Sequence, residues 1–369
     1  MERRVTLKIV GHFDIPYFQY LDESSQLVAP LPDFLQDPQK LLELYRYLVL
    51  TRLFDQKAIA LQRTGKLGTY PSTRGQEAVF VGIGQALAED DIYVPYYRDH
   101  GALIQRGVSL VQILLYWGGD ERGNTFASQE QNFPYSVPVG SQPLYAAGAA
   151  AALKYKKQKR AVACVCGDGA SSQGDFYEAL NVAGVWRLPL VTLVCNNQWA
   201  ISVPRDQQTA AQTLAQKAIA AGIYGEQVDG NDVIAVRARV TEALTKAREE
   251  HQPSLLELIC YRQGDHTTAD DASRYETAGL REEKWPQEPV ARLRQYLMAQ
   301  GLWSAPDEEK LIARCTAEVE QAVLEYQEME PQAPETMFDY LYATLPKAYQ
   351  QQRQLTLAKG AARGTDHAS

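Results

Sequence analysis

Two runs, Ala161–Cys166 and Leu190–Cys195, carry no charged residue and a single polar one, Thr192. A strand with one wet face alternates polar and apolar residues, so runs like these belong where both faces are covered, in a parallel sheet flanked by helices. Parallel neighbours cannot be joined by a hairpin. They need a crossover, and Gln173–Trp186 has helical spacing. These segments restrict the chain to the α/β class, a parallel sheet with helices on both faces.

The remaining pattern fits around that unit. Apolar residues Leu41, Leu42, Tyr45, Leu48, Val49, Leu53 and Ile59 predict a helix over Pro38–Thr64, closed by Gly65. Further helices are expected over Gln76–Leu87, Leu110–Tyr116, Pro143–Lys157, Thr209–Ala221 and Asp232–Glu250, and a strand over Ser254–Tyr261. Tyr93–Gly101 reads as a short strand running into a polar loop. The Ala/Gly-rich stretch Ala147–Ala151 presents so little side chain that its helix is expected in tight packing, either within the core or at an interface. Residues 1–37, with Pro16, Pro30 and Pro32, read as an irregular N-terminal arm. Residues 38–345 form the α/β domain, with Glu/Gln-rich helices from Pro286, and residues 346–369 a C-terminal tail frayed from Gly360.

Composition narrows the function. With 37 Lys+Arg against 45 Asp+Glu the net charge is −8, which argues against a nucleic-acid or polybasic membrane partner. No apolar run approaches the roughly 18 residues that a membrane span requires. The charged start Met1-Glu2-Arg3-Arg4 leads into no signal-peptide core. Five cysteines, four of them in apolar strand-like runs, suit small core residues in a reducing compartment. The expectation is a cytoplasmic protein with neither a disulfide framework nor a structural zinc site.

The chemistry sits where the two apolar strands end. Gly167-Asp168-Gly169 follows the first and Asn196-Asn197 the second, and in a parallel sheet both ends face one ligand-binding crevice. A carboxylate and an amide carbonyl brought together there are hard oxygen ligands for Mg²⁺ or Ca²⁺, with substrate phosphate completing the shell. The two glycines would let the backbone turn tightly beside a phosphate, and the amides opening the helix near Gln173 would face it. A dinucleotide cradle is the competing reading, but Ser172 stands where its third glycine belongs. Of the five histidines, His12, His251 and His367 read as surface residues, which leaves His100 and His266 in polar loops near the crevice.

The joint placement of these turns resembles the thiamin diphosphate motif of cofactor-dependent decarboxylases and dehydrogenases. Thr73–Ala78, Tyr97–Gly101, Gly174–Glu178 and Val228–Gly230 resemble the alpha subunit of the first, decarboxylating component of 2-oxo acid dehydrogenase complexes. Thr209–Gly230 and Tyr261–Tyr275 are similar to the bacterial pyruvate dehydrogenase branch of that family. The resemblance spans about residues 38–345 and implies the thiamin diphosphate-binding fold. It implies Mg²⁺ on Asp168, the Asn197 side chain and the Trp199 carbonyl; phosphate contacts from Tyr97 and Arg98, with amide donors from Gly169 and Ala170 and Gly167 among the cofactor-binding residues; and backbone contact to the pyrimidine from Val137 and Val139. His266 is then the cofactor-side residue for proton transfer and oxyanion stabilisation during acyl handover, and His100 has a supporting catalytic role.

The same resemblance implies partners. The glutamate that activates the aminopyrimidine lies on a separate beta subunit, so the expected assembly is two alpha with two beta chains, serving a small 2-oxo acid and the lipoyl domain of a dihydrolipoyl acyltransferase. Cys195 stands where animal branched-chain relatives carry Arg, and Asp168 where they carry Glu. That leans towards pyruvate over branched-chain 2-oxo acids, with acetoin third. Thr267 occupies the position of a serine phosphorylated in some animal relatives.

Overall fold

The computed structural model describes residues 8–126, 130–283 and 288–366. The expectations at Met1–Arg4, Pro286 and His367 lie outside them. Strands run in chain order as β1 (Tyr17–Phe18), β2 (Ile92–Val94), β3 (Val162–Gly167), β4 (Leu190–Asn196), β5 (Trp199–Ala200), β6 (Val203–Pro204), β7 (Tyr224–Asp229) and β8 (Ser254–Ile259). Six of them form one sheet in the order β1-β7-β8-β4-β3-β2, and every pair in it is parallel. β5 and β6 make a small antiparallel hairpin just beyond the end of β4.

The helices include α1 (Pro38–Arg63), α2 (Glu77–Ala86), α3 (His100–Gln105), α4 (Leu110–Trp117), α5 (Gln142–Tyr155), α6 (Gly174–Trp186), α7 (Arg205–Gln208), α8 (Lys217–Ala220) and α9 (Val233–Glu250). β3 and β4 are buried almost throughout, and α5, α6 and α9 pack on the sheet, α6 through Phe176, Ala179, Leu180 and Ala183. Sealing such strands on both faces is the main stabilising term, at about 1.5–3 kcal/mol for each Val or Leu taken fully out of water. All five cysteines are free and buried. Among the described residues no helix is long and apolar enough to cross a membrane.

The chain divides into one compact unit running to Val323 and a second from Leu324. The second contains a helix over Lys347–Asp366, which continues past Gly360, where fraying was expected. Three other expectations differ from the structure. The arm contributes an edge strand: β1 pairs with β7, Gln227 N–H donates to the Pro16 carbonyl at 2.8 Å, and Asp232 accepts from the Tyr20 and Leu21 amides at 2.7 and 2.8 Å. Thr209–Ala221 is not one helix. Thr209, Thr213 and Gln216 side chains capture nearby backbone amides, which competes with the helical ladder, and only α8 remains helical. The polar segment after β2 is buried, with Arg98, Asp99 and His100 each at most 1% exposed, and it continues into α3.

Candidate functional site

The ends of β3 and β4 meet as their apolar runs require. The Cys195 carbonyl accepts hydrogen bonds from the Asp168 and Asn197 amides, each at 3.2 Å, so the two turns are tied to one oxygen. Asp168 and Asn197 line one cavity of about 160 Å³, together with Gly167, Gly169, Ala170 and Trp199. Neither Gly167 nor Gly169 has a positive φ, so neither is required for a left-handed turn. Gly169 is required by packing, because a Cβ there would lie 2.7 Å from Ala200 Cβ in the hairpin, whereas one at Gly167 would meet only Tyr96, at 3.9 Å. The short helical turn Gly169–Ser172 precedes α6, so its opening residues, rather than the amides near Gln173, border the cavity.

The opposite wall comes from two loops. Asp99 accepts from the Tyr93 hydroxyl at 2.5 Å and the Tyr96 amide at 3.2 Å, which pins the turn carrying Tyr97 and Arg98; burial pushes the Asp99 carboxyl up to about 7. Asp55 accepts from Tyr70, Ser72 and the Thr73 amide, and the Ser72 carbonyl in turn accepts from Arg98. Tyr97, Arg98, Val139 and His266 all line the cavity.

Arg98 and Arg262 define the electrostatics. They are 1% and 2% exposed, and neither forms a salt bridge among the described residues. Each is held by protein oxygens, Arg98 by the Ser72 and His266 carbonyls and Arg262 by the Gly264 and Ile201 carbonyls and the Tyr275 hydroxyl. Without an ion-pair partner the buried positive charge favours an anion, and Arg98, which lines the cavity with Nε unpartnered, is the one placed to meet it. Both reach His266: Arg98 Nη2 lies 3.3 Å and Arg262 Nη1 3.4 Å from Nδ1, and Arg98 also donates to the His266 carbonyl at 2.9 Å. A guanidinium has only protons to offer, so Nδ1 accepts and the ring proton resides on Nε2. Burial, then Arg98 and Arg262, hold the imidazole down at about 3. At neutral pH His266 is therefore an uncharged donor.

Asp168 is 2% exposed, and burial raises its pKa above the usual carboxylate range. Gln208 Nε2 donates to its Oδ2 at 2.8 Å, and the Gln208 Oε1 is buried without a partner. The Asn197 amide is oriented on both sides: Oδ1 accepts from the Trp199 amide at 3.1 Å and Nδ2 donates to Gln76 at 2.9 Å. Among the described residues no cluster of three or more His, Cys, Asp or Glu could hold a metal. One carboxylate and amide oxygens are instead the sparse, hard set that suits Mg²⁺ when phosphate oxygens complete its shell.

Two expected residues are not in this wall. His100 is fully buried, stacked on Tyr70 and edge-on to Phe54, Trp117 and Tyr135, with its Nδ1 2.9 Å from the Tyr135 hydroxyl. Burial holds it at about 3, so it is a neutral part of an aromatic cluster behind the cavity. Val137 is half exposed and does not line the cavity. Conversely, Arg262, Gln208 and Gln76 were missed by the sequence reading. Arg262 directly precedes the acidic loop and could have been found as its only cation before Arg274; Gln76 lay within the family-like stretch Thr73–Ala78 without a role of its own, and Gln208 gives no sequence signal.

The dehydrogenase E1 component family model matches residues 45–335. The chain is 38% identical over 345 residues to the pyruvate dehydrogenase E1 component subunit alpha of Bacillus subtilis strain 168, covering 93% of this chain and 92% of that protein. It is 40% identical over 341 residues to the subunit of the same name from Staphylococcus aureus strain Mu50, covering 91% of each. The Staphylococcus epidermidis protein of that name is also 40% identical over 341 residues, with 91% of each chain covered.

Proposed function

The chain belongs to the dehydrogenase E1 component family, and from that premise we propose that it is the cofactor-cradling subunit of an enzyme that oxidatively decarboxylates pyruvate and passes the acetyl group to a lipoyl group. The observation that carries this reading is the buried Arg98 guanidinium, which forms no salt bridge among the described residues and lines one cavity with the Asp168 carboxylate and the Asn197 amide. Thiamin diphosphate, when bound, supplies the electron sink that lets a 2-oxo acid lose carbon dioxide.

The chain's own residues position and polarise. Asp168, Asn197 Oδ1 and the Trp199 carbonyl would hold Mg²⁺, while Tyr97, Arg98 and the amides of Gly169 and Ala170 would hold the diphosphate, with Arg262 adding positive charge from beside His266. Val139 borders the cavity where the pyrimidine would lie. His266, neutral with its proton on Nε2, offers a hydrogen bond to an oxygen that gains negative charge at the reacting carbon. Burial and, after it, the Arg98 and Arg262 charges depress His266, so bound phosphate, by offsetting those charges, would ease proton transfer by it.

Among the described residues no Asp or Glu apart from Asp168 lines the cavity, and the second carboxylate, for the aminopyrimidine, would come from another chain, the beta subunit. α5 and α6 offer it a surface. They pack together and leave Leu144, Tyr145, Val185 and Trp186 exposed, and a Cβ on Gly148 would meet nothing. Of the two placements expected for the Ala/Gly-rich helix, this outer face favours an interface. The acyl acceptor would be the lipoyl domain of the acyltransferase.

The test is co-purification with the proposed beta subunit, followed by decarboxylation assays with pyruvate and 3-methyl-2-oxobutanoate. The reading predicts thiamin diphosphate-dependent turnover that is faster with pyruvate. Preference for the branched acid would overturn the substrate assignment, and turnover independent of thiamin diphosphate would overturn the whole reading.

A further inference from the structure

Gln76 touches neither the cavity nor any group proposed to bind the cofactor except one. It is fully buried just ahead of α2, and its Oε1 accepts from Asn197 Nδ2 at 2.9 Å and from the Cys195 thiol at 3.4 Å. Its position leaves little play. The preceding Gly75 sits at φ +84°, where a Cβ would lie 2.2 Å from the Tyr261 carbonyl, and the Gln76 amide donates to the Thr73 carbonyl at 2.8 Å. Glu77, next in the chain, is buried and paired with Arg52 at 2.6 Å. The backbone on both sides of Gln76 is thus fixed before any ligand arrives, and of its side-chain amide only Oε1 is bonded, Nε2 being buried without a partner.

An asparagine side chain has two nearly identical ends with opposite chemistry, since the oxygen can bind a cation and the NH₂ cannot. At Asn197 the choice is fixed by a chain of directed bonds. The Trp199 N–H takes Oδ1, Nδ2 must then face Gln76, and Gln76 must present an acceptor. The opposite rotamer would set the Asn197 oxygen against Gln76 and turn the NH₂ towards Asp168 and the proposed cation.

We infer that Gln76 is a positioning residue that fixes the amide of Asn197 with its carbonyl oxygen towards the divalent cation. This rests on the metal reading above, and the experiment is chosen to separate the two. In the complex of alpha and beta chains, with thiamin diphosphate present, Mn²⁺ binding is followed by the electron paramagnetic resonance signal of free Mn²⁺. Gln76→Leu keeps the volume and removes the acceptor. It should weaken Mn²⁺ binding about 10- to 100-fold, the usual effect of losing an outer partner of a metal ligand. Gln76→Glu restores an acceptor oxygen in either protonation state and should return the affinity to within about threefold of the parent. Asp168→Asn reports on the site itself. Loss of binding in Asp168→Asn with unchanged binding in Gln76→Leu overturns the positioning role alone, as does equal weakening in Gln76→Leu and Gln76→Glu. Unchanged binding in Asp168→Asn overturns the metal site. Thermal unfolding of each complex identifies a variant that has failed to fold.

Discussion

His266 is uncharged because of its neighbours. Burial and the two guanidiniums hold it at about 3, against 6.5 for a free imidazole. An unfolded chain takes up a proton at this side chain as pH falls through 6.5, while the folded chain refuses it until about 3. The stability contribution is therefore fully present above pH 6.5 and is lost as pH falls across that window. A bound diphosphate would offset Arg98 and Arg262, so loading should move the His266 midpoint upward. Carbon-edited NMR of the histidine-labelled complex, with His266→Gln to identify the signal, measures this directly. The expected result is no titration of His266 near neutrality without cofactor and a raised midpoint with it; a midpoint near 6.5 in the cofactor-free complex would contradict it. In the sequence His266 was legible as a polar-loop residue and as a family match. Its protonation state was not, because Arg98 is distant in the chain and brought close only by the fold. His100 shows the converse: its polar sequence neighbours suggested a site, yet Tyr70, Trp117 and Tyr135 converge to bury it.

At the scale of elements, the strand ends do the positioning. β3 and β4 were readable because burial on both faces leaves no polar residue except Thr192 in the runs Ala161–Cys166 and Leu190–Cys195, and the polar residues that follow each run stood out for that reason. What the residues did not reveal is how the turns are packed. The hairpin of β5 and β6 lies against Gly169 so closely that a methyl group cannot fit, while Gly167 has room for one. Gly169→Ala should therefore displace the hairpin that carries Trp199 and weaken thiamin diphosphate binding at least about tenfold, about 1.4 kcal/mol. Gly167→Ala should change it much less. Titration calorimetry of the two complexes decides, and equal effects would show that the hairpin contact does not govern the site. β1 and the broken 209–221 segment were illegible for a related reason. Two residues of strand carry no periodicity, and threonine side chains that capture backbone amides look, in sequence, like an ordinary helical surface.

For the whole molecule, the sheet order brings residues from 96 to 266 to one cavity, whose wall has the Arg98 guanidinium and the side-chain oxygens of Asp168 and Asn197 but, among the described residues, no second carboxylate. The account depends on Asp168 and Asn197 sharing one cation that also holds the diphosphate. The most direct measurement is anomalous diffraction from a crystal of the alpha and beta complex grown with thiamin diphosphate and Mn²⁺. The prediction is a single manganese peak in the cavity, within about 2.0–2.6 Å of an Asp168 carboxylate oxygen, Asn197 Oδ1 and two phosphate oxygens. Manganese bound elsewhere, or touching only one of these two side chains with the diphosphate in place, would contradict it.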